Sequence, residues 1–145
     1  MRLQIVCSIM VTLMISAVPG EGPPEQGDLT VVVRGFNNDD GLMKISLHNS
    51  REDYESHERD YRREQIPVEN NSAKVTFNNV PYGVYAIKIY HDENGDDELN
   101  TNFLGMPTEE YGFSNNARGS FGPATWDDAK FYFNSANDTL QIDIK

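Results

Sequence analysis

Apolar and polar residues alternate along much of this chain. Ala73-Lys74-Val75-Thr76-Phe77 changes character at every position, and Leu42-Met43-Lys44-Ile45-Ser46-Leu47-His48 does nearly the same. A period of two sends successive side chains to opposite faces of a strand, so both runs predict half-buried strands. Val84-Tyr85-Ala86-Ile87-Lys88-Ile89-Tyr90 is the strongest strand run. Leu29–Arg34, Gln65–Glu69, Ala129–Phe133 and Leu140–Ile144 are shorter ones, and Pro67 marks the second of these as an edge. The turn cluster Asn37–Gly41 predicts a hairpin between the first two strands; Asn70-Asn71, Asn78–Gly83 and Asn134–Asp138 supply further turns. Residues 51–65 are highly charged. A short helix or a solvated crossover fits them equally, and Tyr54 and Tyr61, seven apart, could share one helix face. About seven short strands without a long amphipathic helix predict an all-β fold, an immunoglobulin- or transthyretin-like β-sandwich with Val75 and Phe77 in its core.

One segment breaks the rhythm. Residues 102–128 hold no convincing strand, yet they carry Phe103, Leu104, Met106, Tyr111, Phe113, Phe121 and Trp126. Loops longer than about 12–15 residues without secondary structure are usually functional or disordered. So many aromatic residues predict an ordered loop that folds back over an end or a face of the sandwich.

The N-terminus reads differently. Arg2 precedes an almost wholly apolar, uncharged stretch from Leu3 to Val18, with small residues at Ala17 and Gly20. This is the pattern of a secretory signal peptide over residues 1–20, too short for a membrane span of about 20 residues. Residues 21–27 then read as a flexible leader and 28–145 as one domain. The expected compartment is secreted or periplasmic, with no membrane span after cleavage. Cys7, the single cysteine, lies inside the signal, so disulfides and cysteine chemistry are excluded from the remainder. The formal charge of −11 opposes binding to nucleic acid and to anionic membranes and is compatible with cations.

Much of that charge gathers in His91-Asp92-Glu93-Asn94-Gly95-Asp96-Asp97-Glu98-Leu99-Asn100-Thr101-Asn102, directly after the strongest strand. Two carboxylates 4 Å apart repel by roughly 1 kcal/mol in water and about 4 kcal/mol at an effective dielectric of 20. Water solvates them, or a cation sits among them. With Asp92 at the first position of a calcium loop, Asn94, Asp96, Glu98 and Asn100 fall at alternate ligand positions, and Leu99 would turn inward as an anchor. Asp97 stands where the tight turn prefers Gly, although Asp tolerates the left-handed conformation. Phe103 stands where a bidentate acid belongs, so Asn102, Glu109, Glu110 or water would complete the oxygens. The metal candidates are Asp92, Asn94, Asp96, Glu98, Asn100 and Asn102, with Ca2+ as the ion; a metal-free polar turn is the competing reading.

Other chemistry is sparse. His48, His57 and His91 are too scattered for a zinc site, and Ser114 lacks a nucleophile elbow. Tyr111, Phe113 and Trp126 could stack on sugar rings, with Asn115, Asn116 and Arg118 as a polar binding loop; the alternative is a self-packed loop in which these residues serve structure.

The run HDENGDDELNTNFLGMPTEEYGFSNNARGSFGP, followed by Trp126-Asp127-Asp128-Ala129, resembles domain-of-unknown-function family 2141, whose members share a pattern close to HDxNxNGxLDTNxxGxPxEGYGFSNN. The resemblance spans Leu29 to Lys145 and is densest from Tyr90 to Ala129. Asn79–Ala86 is similar to the family's PxGxY turn-strand element. Asp96 and Asp97 stand where the family tends to have Asn-Gly, and Asn100 where it tends to have Asp. The resemblance implies a secreted bacterial β-sandwich and no assigned activity. The expectation is an exported, non-catalytic binding or structural module that meets a protein or glycan of the cell envelope or exterior; the alternative is a carbohydrate-binding module using the loop aromatics.

Overall fold

The computed structural model describes residues 25–56 and 58–145. Residues 1–20, read above as a signal peptide, most of the stretch read as a leader, and His57 lie outside the described residues. Eight strands form two sheets: β1 (Gln26–Arg34), β2 (Leu42–His48), β3 (Arg62–Pro67), β4 (Ser72–Pro81), β5 (Gly83–Asp92), β6 (Tyr111–Phe113), β7 (Phe131–Phe133) and β8 (Asn137–Asp143). Two short helices join them, α1 (Arg51–Ser56) and α2 (Trp126–Ala129). The first sheet runs β4-β1-β8, and the second β3-β2-β5-β6 with β7 also on β5. The fold is all-β and sandwich-like. No helix among the described residues is long and apolar enough to cross a membrane.

The alternation read from the sequence becomes the core. Leu29, Val31 and Val33 of β1, Val75 and Phe77 of β4, and Ile142 of β8 meet Ile45 and Leu47 of β2 and Ile87 and Ile89 of β5 in one buried cluster. Each such side chain contributes roughly 1.5–3 kcal/mol when fully withdrawn from water. Pro67 ends the edge strand β3, as its missing N–H requires.

Three expectations change. The first two strands do not form a hairpin: β1 pairs antiparallel with β4 and parallel with β8, while β2 lies in the other sheet between β3 and β5. Residues 35–41 cross between sheets. Gly35 turns at a φ of 98°, Phe36 is buried, and the Asp39 carboxylate accepts the N–H groups of Asn70 and Asn71 at 2.8 and 2.7 Å. Second, β1 begins at Gln26, so the leader boundary at 27 falls inside a strand that pairs with Pro81 and Val80. Third, the charged stretch splits. α1 is short and follows Ser50, whose Oγ accepts from Asp53 N at 3.2 Å. It ends before Tyr61, so only Tyr54 is buried beneath it. The eighth strand, β6, lies within the long loop; three residues are too few to show a period.

That loop covers the outer face of the second sheet. Tyr54, Ala86, Phe113, Ala124, Trp126 and Ala129 form a second buried cluster there. Tyr54 pins it by donating its hydroxyl to the Ala124 carbonyl at 2.9 Å. α2 is capped by Thr125, whose side chain accepts from Asp128 N.

Candidate functional site

The acidic loop folds around Asp92. This carboxylate is fully buried, and its Oδ1 accepts from Gly95 N and Asp96 N at 2.8 and 3.1 Å. Oδ2 accepts from Asp97 N at 3.2 Å and lies 3.2 Å from Lys44 Nζ. The β2–β5 register explains the lysine. Leu42 stands opposite Asp92 and Lys44 opposite Tyr90, which makes Lys44 the diagonal neighbour of Asp92 on one face. Lys44 also bonds the Asp97 carboxylate. That bond first, and the one to Asp92, hold the ammonium above its ordinary value against the opposing effect of burial. Asp97 adopts a left-handed φ of 65°, as expected of an Asp at a glycine position. Gly41 packs against the hub so closely that a Cβ there would lie 1.9 Å from the Asp92 carbonyl oxygen.

The other predicted metal ligands form a second tier. Asn94 Nδ2 donates to Asp96 Oδ2 and to Asn100 Oδ1, and Asn100 Nδ2 donates to Asp96 Oδ2. The bond from Asn100, then the N–H of Glu98, hold the Asp96 carboxyl below the usual range. Glu98 is exposed. Asn102 stands apart: its Oδ1 accepts from Leu104 N and Met106 N and shapes a separate exposed turn. Leu99 does not turn into the core; it is 36% exposed. Glu109, expected only as one of several groups that could complete the oxygens, clamps the loop. It is buried, and its two oxygens accept from Glu93 N at 3.1 Å and Asn100 N at 2.9 Å, closing the loop at both ends.

His91, on the inner side, ties the hub to the 35–41 crossover. Its Nδ1 is 3.0 Å from Glu110 Oε2 and its Nε2 is 2.6 Å from the Asp40 carbonyl oxygen. Asn37 donates to Glu110 and Asn38 to Glu93. One ligand atom each from His91, Glu93 and Glu110 lies within 4.8 Å of the others, a set able to hold an ion. Here they are members of a hydrogen-bonded network.

The polar flap residues serve the flap itself. Asn115 Nδ2 donates to the carbonyls of Asp128 and Lys130, and Asn116 Oδ1 accepts from Asp143 N. Arg118 reaches the carbonyls of Tyr111 and Asp143. Trp126 is buried edge-to-face on Tyr54, with ring centroids 5.8 Å apart. Ser114, fully buried, accepts from Ile87 N at 2.9 Å and donates to the Ala129 carbonyl at 2.5 Å, joining β5 to the end of α2.

Tyr111 and Phe113 are placed differently. The strand registers lay two cross-strand rows on the outer sheet face: Gln65-Lys44-Tyr90-Tyr111 and Arg63-Ser46-Lys88-Phe113. These rows floor a cleft of about 450 Å³, walled by Asp97 and Leu99 of the acidic loop, Pro123 of the flap and Asp60. Ser46 Oγ and Asp60 Oδ1 both approach His48 Nε2, at 3.0 and 3.4 Å. A proton relay needs hydroxyl and carboxylate on different ring nitrogens.

Lys88 is the perturbed cation of this cleft. It donates to the Tyr54 carbonyl and its Nζ lies 4.2 Å from the Tyr54 ring centroid. Burial lowers its pKa to about 8, with Asp60 and Glu55 working weakly the other way. The folded chain therefore sheds this proton near pH 8, whereas the unfolded chain keeps it to about 10.5. Between those values the unfolded state binds more protons, so stability rises with pH, and it falls back as pH drops through 8. The denaturation midpoint of the wild type is expected to rise relative to that of Lys88→Met between pH 7.5 and 9.5. A constant difference would mean that Lys88 titrates normally.

An all-β sandwich with a hydrogen-bonded acidic hub and an outer cleft is the class defined by these features. The family described as an uncharacterized protein conserved in bacteria (DUF2141) matches residues 31–141, and the chain belongs to it. No curated protein and no solved structure matches the chain.

Proposed function

We propose that this chain is an exported, non-catalytic binding module whose ligand site is the cleft on the outer face of the second sheet. One observation carries the reading: two ordered segments, the acidic loop and the aromatic flap, stand as walls beside a concave floor of polar and aromatic side chains. Clefts of roughly 300–1,000 Å³ with apolar walls and a few placed polar groups are the usual form of small-ligand sites. The hub holds one wall, and the flap cluster holds the other. Half-buried Tyr111 beside Tyr90, with the Gln65 amide at the far end of the same row, gives the carbohydrate reading a specific foothold, because a ring face on a floor that also carries polar groups suits a sugar.

NMR titration with small neutral and acidic ring compounds tests this. Amide shifts are expected to cluster at Lys44, Tyr90, Tyr111 and Phe113. Shifts confined to the exposed turn at 102–106, or to the first sheet, would overturn it. Calcium is a reinforcement of the same reading, drawn to oxygens of Asp92, Asn94, Asp96, Glu98 and Asn100. A bound ion stabilises in proportion to the logarithm of its free concentration over its dissociation constant. The melting temperature of the wild type is then expected to climb with millimolar calcium and that of Asp92→Ala to stay flat; no rise in the wild type removes calcium from the reading.

A further inference from the structure

We infer that the cleft takes a small organic monoanion, a carboxylate carried on a ring, and that Lys88 receives the charge. The inference rests on the binding reading above and names its ligand class. Three cations line the cleft, and two are already neutralised. Lys44 is held by Asp92 and Asp97, and Arg63 Nη2 lies 2.5 Å from Asp60 Oδ2. Among the described residues, no carboxylate stands within 4 Å of Lys88 Nζ. Its partners are a carbonyl and the face of the Tyr54 ring. A dipole and a quadrupole steady an ammonium without pairing its charge, and Asp60 and Glu55 act on it only from beyond 4 Å. This occurs in a chain of formal charge −11, with 23 Asp and Glu residues against 12 Lys and Arg.

The charge pairing sets the ligand's valence. The acidic side chains lining the cleft, Asp60 and Asp97, are committed to Arg63 and Lys44. Lys44, with Asp92 as well as Asp97, and Arg63 with Asp60 are paired, so among the described residues Lys88 is the one lining cation with no carboxylate within 4 Å; that suits a single carboxylate, whereas a phosphate dianion would need a second unpaired cation. The body of the ligand follows from the rows of the floor. Phe113 lies opposite Lys88 and Tyr111 opposite Tyr90, so apolar ring surface adjoins the ammonium on one side. Ser46 lies opposite Lys88 on the other side, and Gln65 lies beyond Lys44, which offers hydroxyl and amide groups to ring substituents. The volume of about 450 Å³ accommodates one substituted ring.

The test is an NMR titration of the full domain with 4-hydroxybenzoate and glucuronate, against their neutral counterparts 4-hydroxybenzamide and glucose. At least one acid is expected to shift the amides of Lys88, Tyr111 and Phe113 saturably, at least ten-fold more tightly than its neutral counterpart. Lys88→Met keeps the apolar stem and is expected to erase that preference while the neutral ring still binds weakly; Lys88→Arg is expected to retain it. Which acid binds separates an aromatic from a sugar source. Equal affinity for acid and neutral partner in the wild type overturns the anion inference and leaves the cleft reading standing, with no dependence on how the variants fold. Binding away from the cleft, or by none of the four probes, overturns both.

Discussion

Asp92→Ala is expected to destabilise the domain by about 3–5 kcal/mol, the usual cost of breaking a buried ion pair from one side. The side chain is fully buried, and its loss strands the N–H groups of Gly95 and Asp97, leaves that of Asp96 with Asn94 Oδ1 alone, and removes one carboxylate from Lys44. Folded domains hold only about 5–15 kcal/mol in total, so the denaturation midpoint should fall sharply. Amide exchange at residues 95–97 should accelerate beyond what the global loss explains. Asp97→Ala is the control. Its side chain is 73% exposed, and its removal loses a contact to Lys44 without orphaning any buried amide, so it should cost only about 1–2 kcal/mol, most of it from holding Ala at the left-handed φ of 65°. Equal costs for the two variants would show that the loop is solvated and that no hub exists.

Trp126→Ala is expected to cost about 3–5 kcal/mol, as buried aromatic truncations do. The indole packs with Tyr54, Phe113 and Ala86 in the cluster that fastens the flap to the sheet. It is the single tryptophan, so its emission reports the flap directly: blue-shifted when folded, and red-shifting with the same midpoint as the rest of the domain. A sugar-stacking platform would behave in the opposite way, losing ligand on truncation while the fold stayed intact. Trp126→Phe should recover most of the stability, because the ring contact on Tyr54 persists.

These two residues mark where the sequence was legible. Asp92 could be chosen from spacing, because ligand geometry in a tight loop is a local property, and Asp97 met the left-handed turn its position demands. Its main counter-ion could not be chosen. Lys44 is 48 residues away and meets Asp92 only because β2 and β5 pair in one particular register. Trp126, Asn115, Asn116 and Arg118 were visible as an unusual cluster, but composition is the same whether a loop packs on itself or on a ligand. Their hydrogen bonds to the carbonyls of Asp128, Lys130, Tyr111 and Asp143, and to the N–H of Asp143, show internal work. Glu109 was visible only as one of several acids that could complete the loop's oxygens, and Lys88 only as a lysine interrupting the apolar run Val84–Tyr90.

Alternation and turn chemistry act over neighbouring residues, and so the chain's own order was enough to place seven of the eight strands and the all-β class. Pairing is a different matter. A strand's pattern says which side chains share a face and is silent on which strand lies beside it, so the crossover at 35–41, the parallel β1–β8 contact and the two rows flooring the cleft arose only when distant segments met. The cleft's charge pairing belongs to that second category, because it depends on Lys44 finding Asp92, Arg63 finding Asp60, and Lys88 having no carboxylate within 4 Å among the described residues.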